Sequence, residues 1–395
     1  MTRRCLVYIY GPQHIIPAIC AVRWFGSVKC NGEAEDVNIL LHMPGLPDEI
    51  ILKLQEIAIN LTSALNWPEP RLITNIDVQT KIKPRFSRYK SVSFRFKELL
   101  GRKSFDEIYY PHDLVGTIVE LCISSYPDAK RIIFGDGMGQ LYSKKYLEFK
   151  NPQSGYMDLI SVVKEKIINF LKGKPDPCSP NFVVAILPMD WSGYFLNNSE
   201  LLVVPLHCVQ EIISDCVRNI PDIESYIKFL LETTHEPRFL ILLTNLSDVK
   251  LITPESEIAL NLEIIYNNIP KKSSIIIKRH PLSRTSLEKS LKSYLSNDYD
   301  IHIISPEYDR YPVEIWNDLI INSNIISFAS SCISIQYIFE KPVIYTMNEK
   351  TIRKFFPEKS WKLMEDAHMQ YQSQLNNLAT WDKKSVLWIG KGGEA

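Results

Sequence analysis

Short apolar runs rich in Ile and Val alternate along the chain with amphipathic stretches whose apolar positions recur at helical spacing. The first half predicts strands at Cys5–Tyr10, Val37–Leu41, Arg71–Thr74, Glu107–Tyr110 and Arg131–Phe134. Helices are predicted between them at His14–Phe25, Asp48–Leu65, Phe94–Leu100 and Leu114–Tyr126, and a further one follows at Met157–Leu171. The alternation then restarts. Strands are predicted at Phe182–Leu187, Phe239–Thr244, Ser274–Lys278, Ile301–Ile304, Ile325–Phe328 and Val343–Tyr345. Helices are predicted at Val209–Arg218, Ile223–Glu232, Glu255–Asn267, Ser286–Leu295, Val313–Asn322 and Ser331–Phe339, and the residues after Trp361 read as helical.

Strands alternating with helices imply parallel sheets covered on both faces. Pro175, Pro177 and Pro180 interrupt the pattern, and such a cluster neither continues a helix nor enters a sheet interior. The expected architecture is therefore α/β, with two Rossmann-like domains, residues 1–174 and 181–365, whose parallel sheets face a central cleft. A linker at 175–180 joins them, and 366–395 forms a C-terminal helical segment. The length of 395 residues fits two domains at about 150 residues each.

Composition narrows the classes. Hydrophobic residues make up 45% and charged residues 23%, as in a soluble globular protein. Forty-five Lys and Arg balance 45 Asp and Glu, so global attraction to nucleic acid or to a membrane is not expected and such a role needs a local patch. The eight cysteines form no CxxC pair, which argues for a reducing compartment and against a zinc ribbon or redox motif. Arg3 and Arg4 precede an apolar run, but Gly11-Pro12 ends it after six residues, too short for a signal peptide. No stretch is long and apolar enough for a membrane span. The sequence reads as cytoplasmic.

In open parallel sheets ligands bind beyond the carboxyl ends of the strands. After Arg131–Phe134 comes Gly135-Asp136-Gly137, which offers Asp136 as a carboxylate between residues without side chains; a turn aspartate is the plain alternative. After Ser274–Lys278 come Arg279, His280 and Pro281, so two cations and a histidine stand at a strand end, suited to an anion or simply solvated. Ser330 and Ser331 open a helix after Ile325–Phe328, where they cap it or hold a phosphate. Tyr311-Pro312-Val313-Glu314 sets a carboxylate in a first helical turn, by helix-dipole preference or to hold ribose hydroxyls. Together the motifs of the second half supply what a nucleoside phosphate needs, and a carboxylate opposite them suits group transfer.

The ordered set, Gly135-Asp136-Gly137, Lys278-Arg279-His280-Pro281, Pro312-Val313-Glu314 and Ala329-Ser330-Ser331, resembles the motifs of bacterial sialyltransferases, most nearly the α-2,8-polysialyltransferase-like family. The resemblance runs from Tyr10-Gly11-Pro12-Gln13-His14 to about Tyr345. It implies a GT-B fold and inverting, metal-independent transfer of sialic acid, or a related nonulosonic acid, from CMP-sialic acid to a glycan hydroxyl. No metal or other cofactor is implied. By the same resemblance Asp136 is the general base and His280 assists departure of the donor phosphate. Ser330 and Ser331 bind that phosphate, Glu314 the nucleoside, and Lys278 and Pro281 complete the donor site. The family motif usually carries two acidic residues before glycine, whereas here the first is Gly135.

The acceptor side is carried by other residues. Gln13, His14, His112 and Asp113 fall near strand ends of the first domain. Residues 81–103 hold nine Lys and Arg against the single acid Glu98, interleaved with aromatics. They suit a solvated basic face, a groove for an anionic glycan, or a peripheral contact with anionic lipid on the inner face of the cell membrane. Single-stranded nucleic acid would show the same pattern but is not the expected partner. Two rival functions remain at this stage: a CDP-linked polymerase of the teichoic-acid type, which also expels CMP, and a non-catalytic polyanion-binding protein on a transferase scaffold.

Overall fold

The computed structural model describes residues 2–43, 46–63, 67–74, 77, 89–111, 117–135, 180–188 and 200–378. The chain divides into two compact units between Ile212 and Ile213.

The first unit contains β1 (Arg3–Ile9), α1 (Ile15–Lys29), β2 (Glu35–Leu41), α2 (Asp48–Ser63), β3 (Arg71–Leu72), α3 (Tyr89–Leu100), β4 (Glu107–Pro111), α4 (Thr117–Ser125), β5 (Lys130–Gly135), β6 (Phe182–Ala185) and β7 (Glu200–Val203). Its seven strands lie in the order β3-β2-β1-β4-β5-β6-β7, all parallel. The strand order reverses between β1 and β4. α3 shows how the pattern makes an element: Val92, Phe96 and Leu100, four residues apart, are buried.

The division falls within α5 (Leu206–Arg218). The second unit continues with α6 (Ile223–Thr233), β8 (Arg238–Leu242), α7 (Pro254–Asn268), β9 (Ser274–Lys278), α8 (Leu287–Leu295), β10 (Asp300–Ile303), α9 (Asn317–Ile321), β11 (Asn324–Ser327), α10 (Ser331–Ile338), β12 (Val343–Tyr345), α11 (Glu349–Phe355) and α12 (Glu358–Leu378). Its five parallel strands run β10-β9-β8-β11-β12, with the reversal between β8 and β11. β8 and β9 are buried at every position, as continuous apolar strands covered on both faces must be. Thr253 accepts the Ser256 N–H and Pro254 stands in the first turn, which fixes where α7 begins.

The α/β class with two Rossmann-like parallel sheets is therefore as expected, but the partition of the chain differs. Phe182–Ala185, expected to open the second domain, pairs with β5 in the first sheet, Ile132 opposite Phe182. β7, which the sequence pattern did not reveal, extends that sheet further. The linker expected at 175–180 lies, except for Pro180, outside the described residues, and the strands before and after it, β5 and β6, belong to one sheet. The first unit consequently runs beyond 174. The C-terminal segment expected from 366 is not separate either. α12 is one helix across that position and buries Leu363, Met364, Ala367 and Tyr371 along one side. The helix expected at Met157–Leu171 lies outside the described residues.

Candidate functional site

The carboxyl edge of the second sheet carries the densest chemistry. β9 ends at Lys278, which is only 3% exposed. Its Nζ donates to the carbonyls of Arg279 (3.3 Å) and Asp309 (3.4 Å), both long contacts. Burial pushes the ammonium pKa down to about 8, against the pull of the Asp309 and Glu314 carboxylates. The sequence sets Lys278 at a strand end as an open cation, and its burial departs from that expectation. As the last rung of the strand, opposite Leu242 of β8, it lies beneath the loop. Arg279 does not present its charge to a ligand either. It pairs with Asp309 at 3.2 Å, lies 3.8 Å from Glu288 and bonds the Thr285 carbonyl. Glu314 is held near Lys278 closely enough to act on its charge. The helix expected at Val313–Asn322 is a 3-10 turn, Val313–Trp316, followed by α9. A four-residue turn supplies little dipole, so that explanation of Glu314 loses force.

His280 follows in a tight turn. Its carbonyl accepts the Ser283 N–H at 3.0 Å and its Nδ1 accepts the Leu282 N–H at 3.2 Å. An Nδ1 that accepts a hydrogen bond leaves the ring proton on Nε2. Burial, reinforced by the Lys278 ammonium and Arg310, lowers the imidazole pKa to about 4 against the opposing Asp248 carboxylate. His280 is thus a neutral Nε2–H donor near pH 7. Pro281 is fixed from the other side, because Arg310 Nη1 donates to its carbonyl at 2.6 Å.

At the end of β11, Ser327 Oγ and Ser331 Oγ lie 2.8 Å apart. Ser331 opens α10, and Ser330 in the cap position makes no side-chain capping bond. β9 and β11 flank β8, so the His280 turn and the Ser330–Ser331 end stand two strand spacings apart, about 10 Å. The loop after β8 occupies the interval. It is organised by Glu257 of α7, a fully buried carboxylate that accepts from Thr244 Oγ1, Leu246 N and Ser247 N, each at 2.9 Å. Sequence reasoning overlooked Glu257, Asp248, Asp309 and Arg310. Only the position of Glu257 in a first helical turn could have drawn notice, and a dipole preference accounts for that equally well.

In the first unit, Gln13 and His14 follow β1 on a 3-10 turn, Pro12–His14. His14 Nδ1 accepts the Tyr10 N–H at 3.2 Å, and its ring meets Phe134 of β5 edge-on at 6.3 Å. Gln13 folds over Gly11 so closely that a Cβ there would lie 2.5 Å from Oε1. Gly135 closes β5. Asp136, His112 and Asp113 lie outside the described residues, as do residues 81–88 of the basic segment. Of the remainder, Arg102 is paired with Asp36 at 2.7 Å and Lys97 lies over the Tyr126 ring. Among the described residues no group of three or more His, Cys, Asp or Glu side chains is placed to hold a metal ion, and no helix is long and apolar enough to cross a membrane.

No protein-family model matches the chain, and no curated protein does. Several solved structures are similar at low identity. A UDP-GlcNAc 2-epimerase from Methanocaldococcus jannaschii is 14% identical, with 93% of this chain and 92% of that one covered and a TM-score of 0.47. A UDP-GlcNAc 2-epimerase from Neisseria meningitidis, bound to UDP-GlcNAc, is 12% identical over 97% and 95%, at a TM-score of 0.45. An α/β-galactoside α-2,3-sialyltransferase from Photobacterium phosphoreum is 12% identical over 86% and 94%, at a TM-score of 0.35.

Proposed function

We propose that the protein is a glycosyltransferase that moves sialic acid, or a related nonulosonic acid, from its CMP-activated form to a glycan hydroxyl with inversion and without a metal. The observation that carries this reading is the placement of His280 and the Ser330–Ser331 helix start on either side of β8, beside the reversal in strand order where open parallel sheets bind nucleotides.

The chemistry follows from the groups in place. Loss of CMP leaves negative charge on the phosphate. The Nε2–H of His280 donates to that oxygen, and an arriving phosphate raises the imidazole pKa from its depressed value, so the ring holds a proton more firmly as the charge grows. The backbone N–H groups at the start of α10 and the Ser330 hydroxyl grip the same phosphate. Lys278 acts from beneath as a fixed positive charge and holds Glu314, which accepts from the ribose hydroxyls. Asp136 is the base that takes the acceptor proton, with Gln13, His14, His112 and Asp113 on the acceptor side. The basic segment 81–103 receives an anionic glycan or rests on anionic lipid.

Release of CMP from CMP-sialic acid and CDP-glycerol, and of UDP from UDP-sugars, measured side by side, tests the proposal. CMP release with CMP-sialic acid alone, abolished in His280→Ala at an unchanged melting temperature, is the expected result. Release from CDP-glycerol instead, or full activity in His280→Ala, overturns it.

A further inference from the structure

Two loops at the carboxyl edge of the second sheet are joined by one side chain that no part of the reaction above uses. Asp248 belongs to the loop after β8. Its Oδ2 accepts the Arg284 N–H at 2.8 Å and the Ser283 hydroxyl at 3.2 Å. Ser283 and Arg284 close the turn that begins at His280, and the Ser283 N–H is the one bonded to the His280 carbonyl. Asp248 is itself held from behind. It lies one residue after Ser247, whose N–H Glu257 accepts, and the Val249 N–H bonds the Asn245 carbonyl at 3.2 Å. A continuous set of hydrogen bonds therefore leads from the start of α7, through the β8 loop, to the imidazole.

The geometry points to Asp248 as a positioning residue for His280: by pinning Ser283 and Arg284 it keeps the turn closed, so that the Leu282 N–H stays on Nδ1 and the ring proton stays on Nε2. This inference rests on the donor-side role proposed for His280. Arg310 grips the Pro281 carbonyl, which belongs to the same peptide unit as the Leu282 N–H, and so helps to aim that N–H at Nδ1, while Asp248 fixes the two residues that follow. Without Asp248 that peptide unit keeps one tether and loses the closure of the turn behind it, so the Leu282 N–H can tilt away from Nδ1. The imidazole then gains access to the Nδ1–H tautomer, which presents an acceptor where the phosphate needs a donor.

The test compares Asp248→Ala and Asp248→Asn with the natural protein, since an amide oxygen accepts the same two hydrogen bonds. Two readouts are used. Ring-nitrogen NMR at pH 7 reports the tautomer of His280, assigned by the signal lost in His280→Gln. Steady-state CMP release reports kcat and KM for the donor, and the melting temperature checks that each variant is folded. Asp248→Ala is expected to show mixed tautomers and a kcat lower by about tenfold to a hundredfold, because small misplacements of a reacting group cost about that much. Its donor KM is expected to stay within about threefold, the mark of an interaction used in the transition state. Asp248→Asn is expected to keep the Nε2–H tautomer and nearly all of kcat. A single Nε2–H tautomer in Asp248→Ala overturns the inference, and so does an Asn variant as impaired as the Ala variant. The tautomer measurement needs no donor. Failure of the natural protein to release CMP from any donor removes the functional reading and still leaves the positioning of His280 decided.

Discussion

Each unit buries a cluster of charged groups at one edge of its sheet, and the two clusters are finished differently. At the amino edge of the first sheet, Arg3 uses all three guanidinium nitrogens. Nη1 pairs with Glu107 at 2.6 Å, Nη2 reaches Glu35 and the Val22 carbonyl at 3.3 Å, and Nε bonds the Glu33 carbonyl. Glu107 also accepts from Tyr109 Oη at 2.7 Å and from the Cys5 and Cys30 thiols. Burial disfavours the guanidinium charge, but Glu107, Tyr109 and Cys5 together outweigh it and the Arg3 pKa is raised. At the carboxyl edge of the second sheet, Arg279 Nε and Asp309 Oδ1 are buried without hydrogen-bond partners. There burial prevails, lowering Lys278 and His280 and raising Asp309. A saturated network holds a fold together. An unsaturated one leaves buried polar atoms that cost stability until a further partner meets them, a pattern that recurs at functional sites.

The sharpest way to break this comparison is to remove one partner from the saturated side. Glu107→Ala leaves the Arg3 charge with Glu35 as its remaining carboxylate in a site closed by α1, where Gly26 already approaches the guanidinium so nearly that a side chain there would collide with it. Losing half of such a buried pair costs about 3–5 kcal/mol. Urea unfolding of the first unit measures it, and a loss below about 1 kcal/mol, the scale of an exposed pair, contradicts the structural role.

Lys278→Met should act in the opposite direction. The folded protein binds the lysine proton less well than the unfolded chain does, since its pKa falls from 10.5 to about 8. The cost of burying it charged is therefore fully present below pH 8 and fades as the pH rises toward the unfolded value. The natural protein is expected to gain up to about 3 kcal/mol relative to Lys278→Met between pH 8 and pH 10.5. At pH 7 the variant is expected to be the more stable of the two and to lose stabilisation by CMP. A variant less stable than the natural protein at pH 7 would place Lys278 with the saturated cluster.

The same contrast explains what could be read from the sequence. β9 and β12 were legible to the residue because an apolar run bounded by turn residues has one physical meaning. The strand-end positions of His280, Ser330 and Ser331 followed directly. β7 carries an apolar run no shorter than that of β12, but the proline cluster outweighed it as a sign of a boundary. The supports of the site were illegible for another reason. Asp248, Glu257, Asp309 and Arg310 sit in polar loops or a first helical turn, where charged residues are ordinary, and only the packing of separate elements buries the last three and half-buries Asp248. The depth of Lys278 was hidden in the same way, since a lysine ending a strand reads as exposed until its neighbours are placed.

The smallest expected effect separates capping from binding at Ser330. A serine at the start of a helix usually bonds a backbone N–H of the first turn, and its loss costs about 1 kcal/mol. Ser330 makes no such bond, while Ser331 is engaged with Ser327. Ser330→Ala is therefore expected to leave stability within about 0.5 kcal/mol, as for a side chain outside the packing. Its Kd for CMP, measured by calorimetry, is expected to rise about tenfold, which corresponds to about 1.4 kcal/mol for one hydrogen bond to phosphate. Stability loss with unchanged CMP affinity would make the serine a cap after all, and the unsaturated edge would then lose one of the donors that distinguishes it from the network around Arg3.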